Sequence, residues 1–255
     1  MIISDDSDEN TLTNWTAVAL RVLPLALDSG LSYARNALLQ AAATKYVFFV
    51  DDDMLFTQAS NVDVLLKVLE VSDFDIAATA EAGEALLTSS HGLLRAENGT
   101  LELSSGSHGE FNGCLHVDLT PAVFLARRKV IARVGWDPQL KLGVHEEFFL
   151  RALSARVRIL SCRYAEVLHN QRLQNGADYD SSVMHKRKRV YDFFRAALKK
   201  HDLQRFVSFG TSVVLIDAHP TYTHVTPSRA SFYPPGMVLG AVFLIVYQRR
   251  SIFRA

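Results

Sequence analysis

The chain has 255 residues, 49% of them hydrophobic, and 27 Lys and Arg against 27 Asp and Glu, so its formal net charge is zero. That length and apolar share suit a globular domain with a single core, and the charge balance offers no argument for nucleic-acid binding. No internal repeat or long low-complexity stretch is present.

In chain order, MIISDDSD puts Asp5 and Asp6 behind a short apolar start. By themselves these are ordinary turn residues. GLSYARN (residues 30–36) opens a helix predicted over Ser32 to Ala43 and carries Arg35. The apolar run Tyr46 to Val50 predicts a buried strand, followed at once by Asp51, Asp52 and Asp53 and then by Met54, Leu55 and Phe56. Asn61 to Glu70 predicts a helix with Val62, Leu65, Leu66, Val68 and Leu69 on its apolar positions. Further strands are predicted at Asp75 to Thr79, Ala122 to Ala126 and Arg158 to Ser161. Ala80 to Gly109, rich in Gly, Ser and Glu, reads as a loop or an excursion. This alternation predicts one α/β domain.

A buried strand ending in three carboxylates sets acceptor oxygens at the carboxyl edge of a sheet, where open α/β folds bind ligands. Like charges so close call for a cation, and hard oxygen donors suit Mg²⁺ or Mn²⁺ shared with a phosphate-bearing substrate. Read alone, the triplet serves equally as a turn before a helix. Aspartyl phosphatases also begin from Asp-x-Asp after a strand, but they want Thr or Val where this chain has Leu55. A nucleotide-sugar transferase uses the aspartates only to grip metal and ribose, and it needs a separate base. GWDPQLKLGVHEEFFLR (residues 135–151) supplies candidates in Glu146 and Glu147, which start an apolar helical run where the dipole favours an ionised carboxylate. The same pair also serves simply to stabilise a first helical turn.

IISDDSD, GLSYARN, TKYVFFVDDDMLFT (residues 44–57), GWDP and HEEFFLRAL (residues 145–153) together, and in this order, resemble the GT-A fold glycosyltransferases, in particular the β1,4-N-acetylgalactosaminyltransferases. The resemblance implies a Rossmann-like nucleotide-sugar-binding catalytic domain over residues 1–205, followed by a divergent tail over 206–255. It places Asp5 and Asp6 at the uracil or ribose and Arg35 near the nucleotide. Asp51 and Asp52 fall on the nucleotide side, with Asp51 facing the ribose and metal and Asp53 as the direct metal ligand. His169 matches a histidine offered to the metal or diphosphate, and Asp118 an aspartate of the donor and acceptor region. Glu147 matches the glutamate of the family motif and is the expected base, while Glu146 stands where that motif has a non-acidic residue.

The implied reaction is metal-dependent (Mn²⁺ or Mg²⁺), inverting transfer of N-acetylgalactosamine from UDP-GalNAc to a hydroxyl of a glycan or glycolipid acceptor. A transferase using UDP-Gal or UDP-GlcNAc, or a silent fragment that keeps the pocket without turnover, stays open. The chain enters the family pattern at its second strand, so the sheet is expected to lack its first strand. The apolar run Gly236 to Tyr247, bounded by Pro234, Pro235 and a basic end, is shorter than a bilayer span and is expected to dock on the domain or lie at a membrane surface. His185 to Arg189 is a basic run ahead of a helical stretch, Val190 to Leu198, and reads as a solvated face or a nuclear signal. Cys114 and Cys162 match family cysteines, which leaves a disulfide or two buried thiols. Asn98-Gly99-Thr100 is a glycosylation sequon. The family implies a Golgi-lumenal, membrane-associated location, although no targeting segment is visible, and the sequence carries no legible signal of oligomeric state.

Overall fold

Tyr46 to Val50 are all buried, and the rest of the architecture is arranged around this strand. The computed structural model describes residues 2–5, 21–26, 28–51, 54–58, 60–82, 91–141, 144–169, 192–208, 212–215 and 242–245; residues 2–5, 81–82, 169, 208, 212–215 and 242–245 are described by backbone path only. The N-terminal half holds β1 (Ile2–Asp5), β2 (Arg21–Pro24), α1 (Leu31–Ala41), β3 (Tyr46–Asp51), β4 (Met54–Leu55), α2 (Val62–Glu70), β5 (Ile76–Ala82), β6 (Leu93–Glu97) and β7 (Thr100–Ser104). There follow β8 (Gly109–Phe111), β9 (Cys114–Val117), β10 (Phe124–Arg127), α3 (Arg128–Val134), α4 (Val144–Ser154), β11 (Ile159–His169), α5 (residues 192–200), β12 (Arg205–Ser208), β13 (Ser212–Leu215) and β14 (Val242–Ile245).

Among the described residues, the main sheet has 10 strands in the order β2-β1-β14-β3-β10-β5-β11-β9-β8, with β4 paired to β11 off this path. The pairings make β1, β3, β5 and β11 run in one direction, with β10 and β14 antiparallel between them. Asp5, Asp51 and His169 therefore close three parallel strands at one carboxyl edge. Helices α1 and α2 pack on opposite faces: Leu38 and Leu39 join the core that holds Phe49, and Leu65, Val68 and Leu69 join the one that holds Phe48. This follows from period two in β3, which sends neighbouring phenylalanines to opposite sides.

All four predicted strands and both predicted helices form, with ends shifted by a few residues and β11 running on to His169. Of the two readings of Ala80 to Gly109, a loop or an excursion, the loop is corrected and the described part forms an excursion. β5 extends to Ala82, and β6 and β7 form a hairpin that pairs with β12 and β13 in a second, 4-stranded sheet. The Gly and Ser content obscured a strong local signal: Asn98 and Gly99 at φ 50 and 71 make a two-residue turn of the mirror-image type that Asn-Gly favours. Leu94, Leu101 and Leu103 point inward from the hairpin and bury.

The place between β1 and β3, where a first strand was expected to be lacking, is taken by β14 from the apolar tail. Val242 to Leu244 pair with Ser4 to Ile2, and Val242 to Ile245 pair with Asp51 to Phe48. The physical reason is backbone satisfaction, because unpaired donors and acceptors in the middle of a sheet are costly. Across the sheet, Cys114 and Cys162 sit directly opposite one another and form a fully buried disulfide. Closing a loop of 48 residues restricts the unfolded chain by about 4 kcal/mol on the loop-entropy account.

Leu244→Pro is expected to remove a ladder hydrogen bond from a central strand and to lower stability by about 1–3 kcal/mol. Urea unfolding checks this, and an unchanged midpoint would show that β14 contributes nothing to the sheet.

Candidate active site

GLSYARN and GWDP meet at the carboxyl edge of β3. Gly30 has φ 87, and a Cβ there would fall 2.7 Å from the backbone of Lys141, so only glycine lets α1 start against the segment that follows α3. From α1, the Arg35 guanidinium donates to both oxygens of Asp51, at 2.9 and 3.2 Å. The pair is nearly dry, with the two side chains 3% and 13% exposed. Arg35 also lies over the Trp136 ring, 5.7 Å from its centre. One residue on, Asn36 copies a strand pairing: its amide donates to the Trp136 carbonyl at 2.8 Å and its carbonyl accepts from the Trp136 N–H at 3.0 Å.

Trp136 in turn seats α4. Its ring stacks on Phe148 at 4.6 Å and meets Phe49 edge-on at 4.9 Å, while Phe124 packs on Phe148 and Phe149. The two phenylalanines of HEEFFL are thus core anchors that fix where the acidic first turn points. His145 lies against Phe149 and is close enough to Arg35 to feel its charge. Burial, reinforced by Arg35 and opposed by a hydrogen bond to the Thr120 backbone, pushes the imidazole down to about 4. Burial likewise raises the Glu146 carboxyl, opposed by a bond to its own backbone N–H.

Glu147 is buried, and one carboxylate oxygen lies 3.2 Å from His201 and 3.8 Å from Arg151. The other oxygen is buried with no hydrogen-bond partner among the described residues. Burial raises this carboxyl, and Asp137 adds to the rise, against the lowering pull of His201 and Arg151. Asp137, from GWDP, is lowered overall: burial pushes it up, but Lys200 and the Gln139 N–H outweigh that. Lys200 bonds Asp137 and reaches Gln139 at 2.7 Å, so the end of α5 is held to α4 and the GWDP loop by Lys200 and His201.

Of the residues expected from sequence, the structure brings Arg35 and Asp51 together, with His145 beside them. Asp5 lies at the same edge through its backbone. His169 is the register partner of Met54, the residue directly after Asp53. Asp6, Asp52 and Asp53 lie outside the described residues, as does the side chain of His169. Among the described residues no group of three or more His, Cys, Asp or Glu is arranged to hold a metal. Asp118 has a different engagement: one oxygen accepts from the Leu94 N–H at 3.0 Å and the other lies 2.8 Å from His108, which ties the main sheet to the β6–β7 hairpin. Sequence reasoning did not single out His145, Trp136, Asp137, Lys200 or His201. GWDP and HEEFFL contain the first three, whereas nothing local marks the last two.

The strand order and the helices on both faces of the sheet are those of a GT-A type α/β fold. Residues 1–83 match the family described as Glycosyl transferase family 2. The crystal structure of S. aureus TarS 1-349 shares the fold at a TM-score of 0.50 and 14% identity, over 77% of this chain and 54% of that one. Closer in sequence is β-1,4 N-acetylgalactosaminyltransferase 1 of Homo sapiens, 33% identical over 184 residues, or 68% of this chain and 34% of the relative. β-1,4 N-acetylgalactosaminyltransferase 2 of Mus musculus is 33% identical over 178 residues with the same shares. The chain therefore spans about a third of the length of these relatives.

Arg35→Met is expected to cost about 3 kcal/mol in urea unfolding, because it leaves a largely buried carboxylate unpaired. Arg35→Met with Asp51→Leu should recover part of that loss, and strict additivity of the two would rule out coupling. For His145, the unfolded chain takes up its proton near the ordinary value of about 6.5, whereas the folded chain holds the ring neutral down to about 4. Between those values the unfolded state binds more protons, so this group's contribution to stability is complete above that window and is lost as pH falls through it. The stability of wild type relative to His145→Gln should therefore decline from pH 6.5 to 4, and a flat difference would refute the assignment.

Proposed function

We propose that this chain catalyses inverting transfer of N-acetylgalactosamine from UDP-GalNAc to a hydroxyl of a glycan or glycolipid acceptor, with Mn²⁺ or Mg²⁺, in the Golgi lumen at the membrane. The observation that carries the reading is that Asp5, Asp51 and His169 end parallel strands along one carboxyl edge of the sheet, with the buried Arg35 ion pair at the centre of that edge and the acidic start of α4 beside it. Sequence likeness to the N-acetylgalactosaminyltransferases supports the choice of sugar. The buried disulfide supports an oxidising lumen.

A divalent cation fits this edge by chemistry: Asp51 brings hard oxygens, and the Met54–His169 pairing brings β4 and the end of β11 together. Asp53 and His169 would hold the ion with Asp51 alongside, and the ion supplies charge neutralisation for a diphosphate leaving group. Asp5 and Asp6 meet the uracil or ribose, and Asp52 borders the nucleotide. Arg35 keeps Asp51 in one rotamer, so the ribose side of the pocket is fixed before substrate arrives. Asp118 supports the site from the hairpin side through Leu94 and His108.

Glu147 is the base. His201 holds one of its oxygens, the other has no partner, and burial raises its proton affinity toward the range in which a carboxylate accepts a proton well at neutral pH. It takes the acceptor hydroxyl proton as that oxygen attacks the anomeric carbon opposite the leaving diphosphate.

The test is UDP release with Mn²⁺ across UDP-GalNAc, UDP-Gal and UDP-GlcNAc. Wild type should prefer UDP-GalNAc, and Glu147→Gln should lower kcat by about 10² to 10⁴ while the thermal midpoint and UDP binding persist. Asp53→Ala should abolish Mn²⁺-dependent UDP binding. A comparable kcat loss in Glu146→Gln alone would transfer the base to that residue, and absence of UDP release from folded wild type would sink the transferase reading.

A further inference from the structure

The β6–β7 hairpin turns on Asn98 and Gly99, with Glu97 paired to Thr100 across the turn. The positive φ values of the two turn residues explain why Asn and Gly stand there, but they put no requirement on the residue after them. Thr100 completes an Asn-x-Thr acceptor sequence. Its backbone is committed, paired to Glu97 on one side and to Arg205 of β12 on the other, while its hydroxyl makes no hydrogen bond among the described residues. The Asn98 side chain is exposed and its amide is likewise without a partner there; the flanking Arg95, Glu97 and Glu102 are exposed too. An attached sugar chain would therefore displace no packed group.

A second observation comes from the other side of the molecule. Cys114 and Cys162 are fully buried and bonded, and such a structural disulfide forms and persists in an oxidising compartment. In eukaryotes that is also the compartment in which asparagine-linked glycans are attached.

We propose that Asn98 carries an N-linked glycan projecting from the tip of the β6–β7 hairpin. The co-reactant is a lipid-pyrophosphate-linked oligosaccharide. The Asn98 amide nitrogen bonds to its anomeric carbon, the carbon–oxygen bond to pyrophosphate breaks, the lipid pyrophosphate leaves with the electron pair, and one amide proton is lost to base. The modification rests on the lumenal location proposed above but not on transferase activity.

The full chain, behind a cleavable secretion signal, is translated with endoplasmic-reticulum microsomes and treated with an endoglycosidase. A second sequon, Asn14-Trp15-Thr16, lies outside the described residues and is controlled with Asn14→Gln. The proposal predicts an endoglycosidase-sensitive mobility step that survives Asn14→Gln, disappears in Thr100→Ala and in Asn98→Gln, and persists in Thr100→Ser. Thr100→Ala leaves the turn residues intact, so its loss is not a folding effect. Identical patterns for wild type and Thr100→Ala overturn the proposal. Denaturing alkylation of the chain recovered from its own cells tests the location separately: free thiols at Cys114 and Cys162 would exclude the lumen and with it the glycan in vivo. UDP release enters neither readout, so loss of the transferase reading would leave both results standing.

Discussion

A guanidinium buried as deeply as that of Arg35 has to be paired, and the only carboxylate given to it in the described contacts is Asp51, at the end of the central strand. Desolvating that pair is expensive unless its geometry is held, so the surrounding residues serve to hold it. α1 must start at Gly30 to bring Arg35 into reach, and Asn36 then clamps the Trp136 backbone. Trp136 stacks on Phe148 and so sets the rotation of α4 about its axis. The placement of His145, Glu146 and Glu147 is thus a downstream consequence of an ion pair two elements away. Loss of Arg35 would therefore disturb both the end of β3 at Asp51 and the acidic first turn of α4.

The electrostatics of the edge follow from that same dryness. His145 is held neutral by burial and by the Arg35 charge, and Glu146 and Glu147 are pushed toward their neutral forms by burial. Charge in the described part of the site is therefore carried by the Arg35–Asp51 and Lys200–Asp137 pairs and by Arg151 beside Glu147. A carboxylate raised in this way and anchored through one oxygen is suited to taking a proton, whereas both oxygens of Asp51 are engaged by Arg35.

Stability and site are secured by different parts of the chain. The Cys114–Cys162 disulfide and the β6–β7 hairpin with β12 strengthen the flank beyond β11. β14 and β10 lie on either side of β3 and fix its path up to Asp51. α5 contributes Lys200 and His201, closing over Asp137 and Glu147.

Much of this was legible because it is local. The apolar run before Asp51 could only be a buried strand, the spacing in Asn61 to Glu70 could only present one apolar face as a helix, and short motifs read in order named the GT-A fold. Arg35 and Asp51 both sit in those short motifs, and the structure brings the two together. Composition misled at Ala80 to Gly109, where turn-forming residues belonged to a hairpin whose strands are short. What lay beyond the sequence was every partnership between distant segments: Val242 to Ile245 beside β3, Asp118 with Leu94 and His108, and His201 against Glu147. Residue spacing encodes periodicity and therefore elements and their faces. Which buried charge meets which counter-charge, and which apolar strand fills an open backbone ladder, depends on three-dimensional packing and desolvation, and only the tertiary structure decided that.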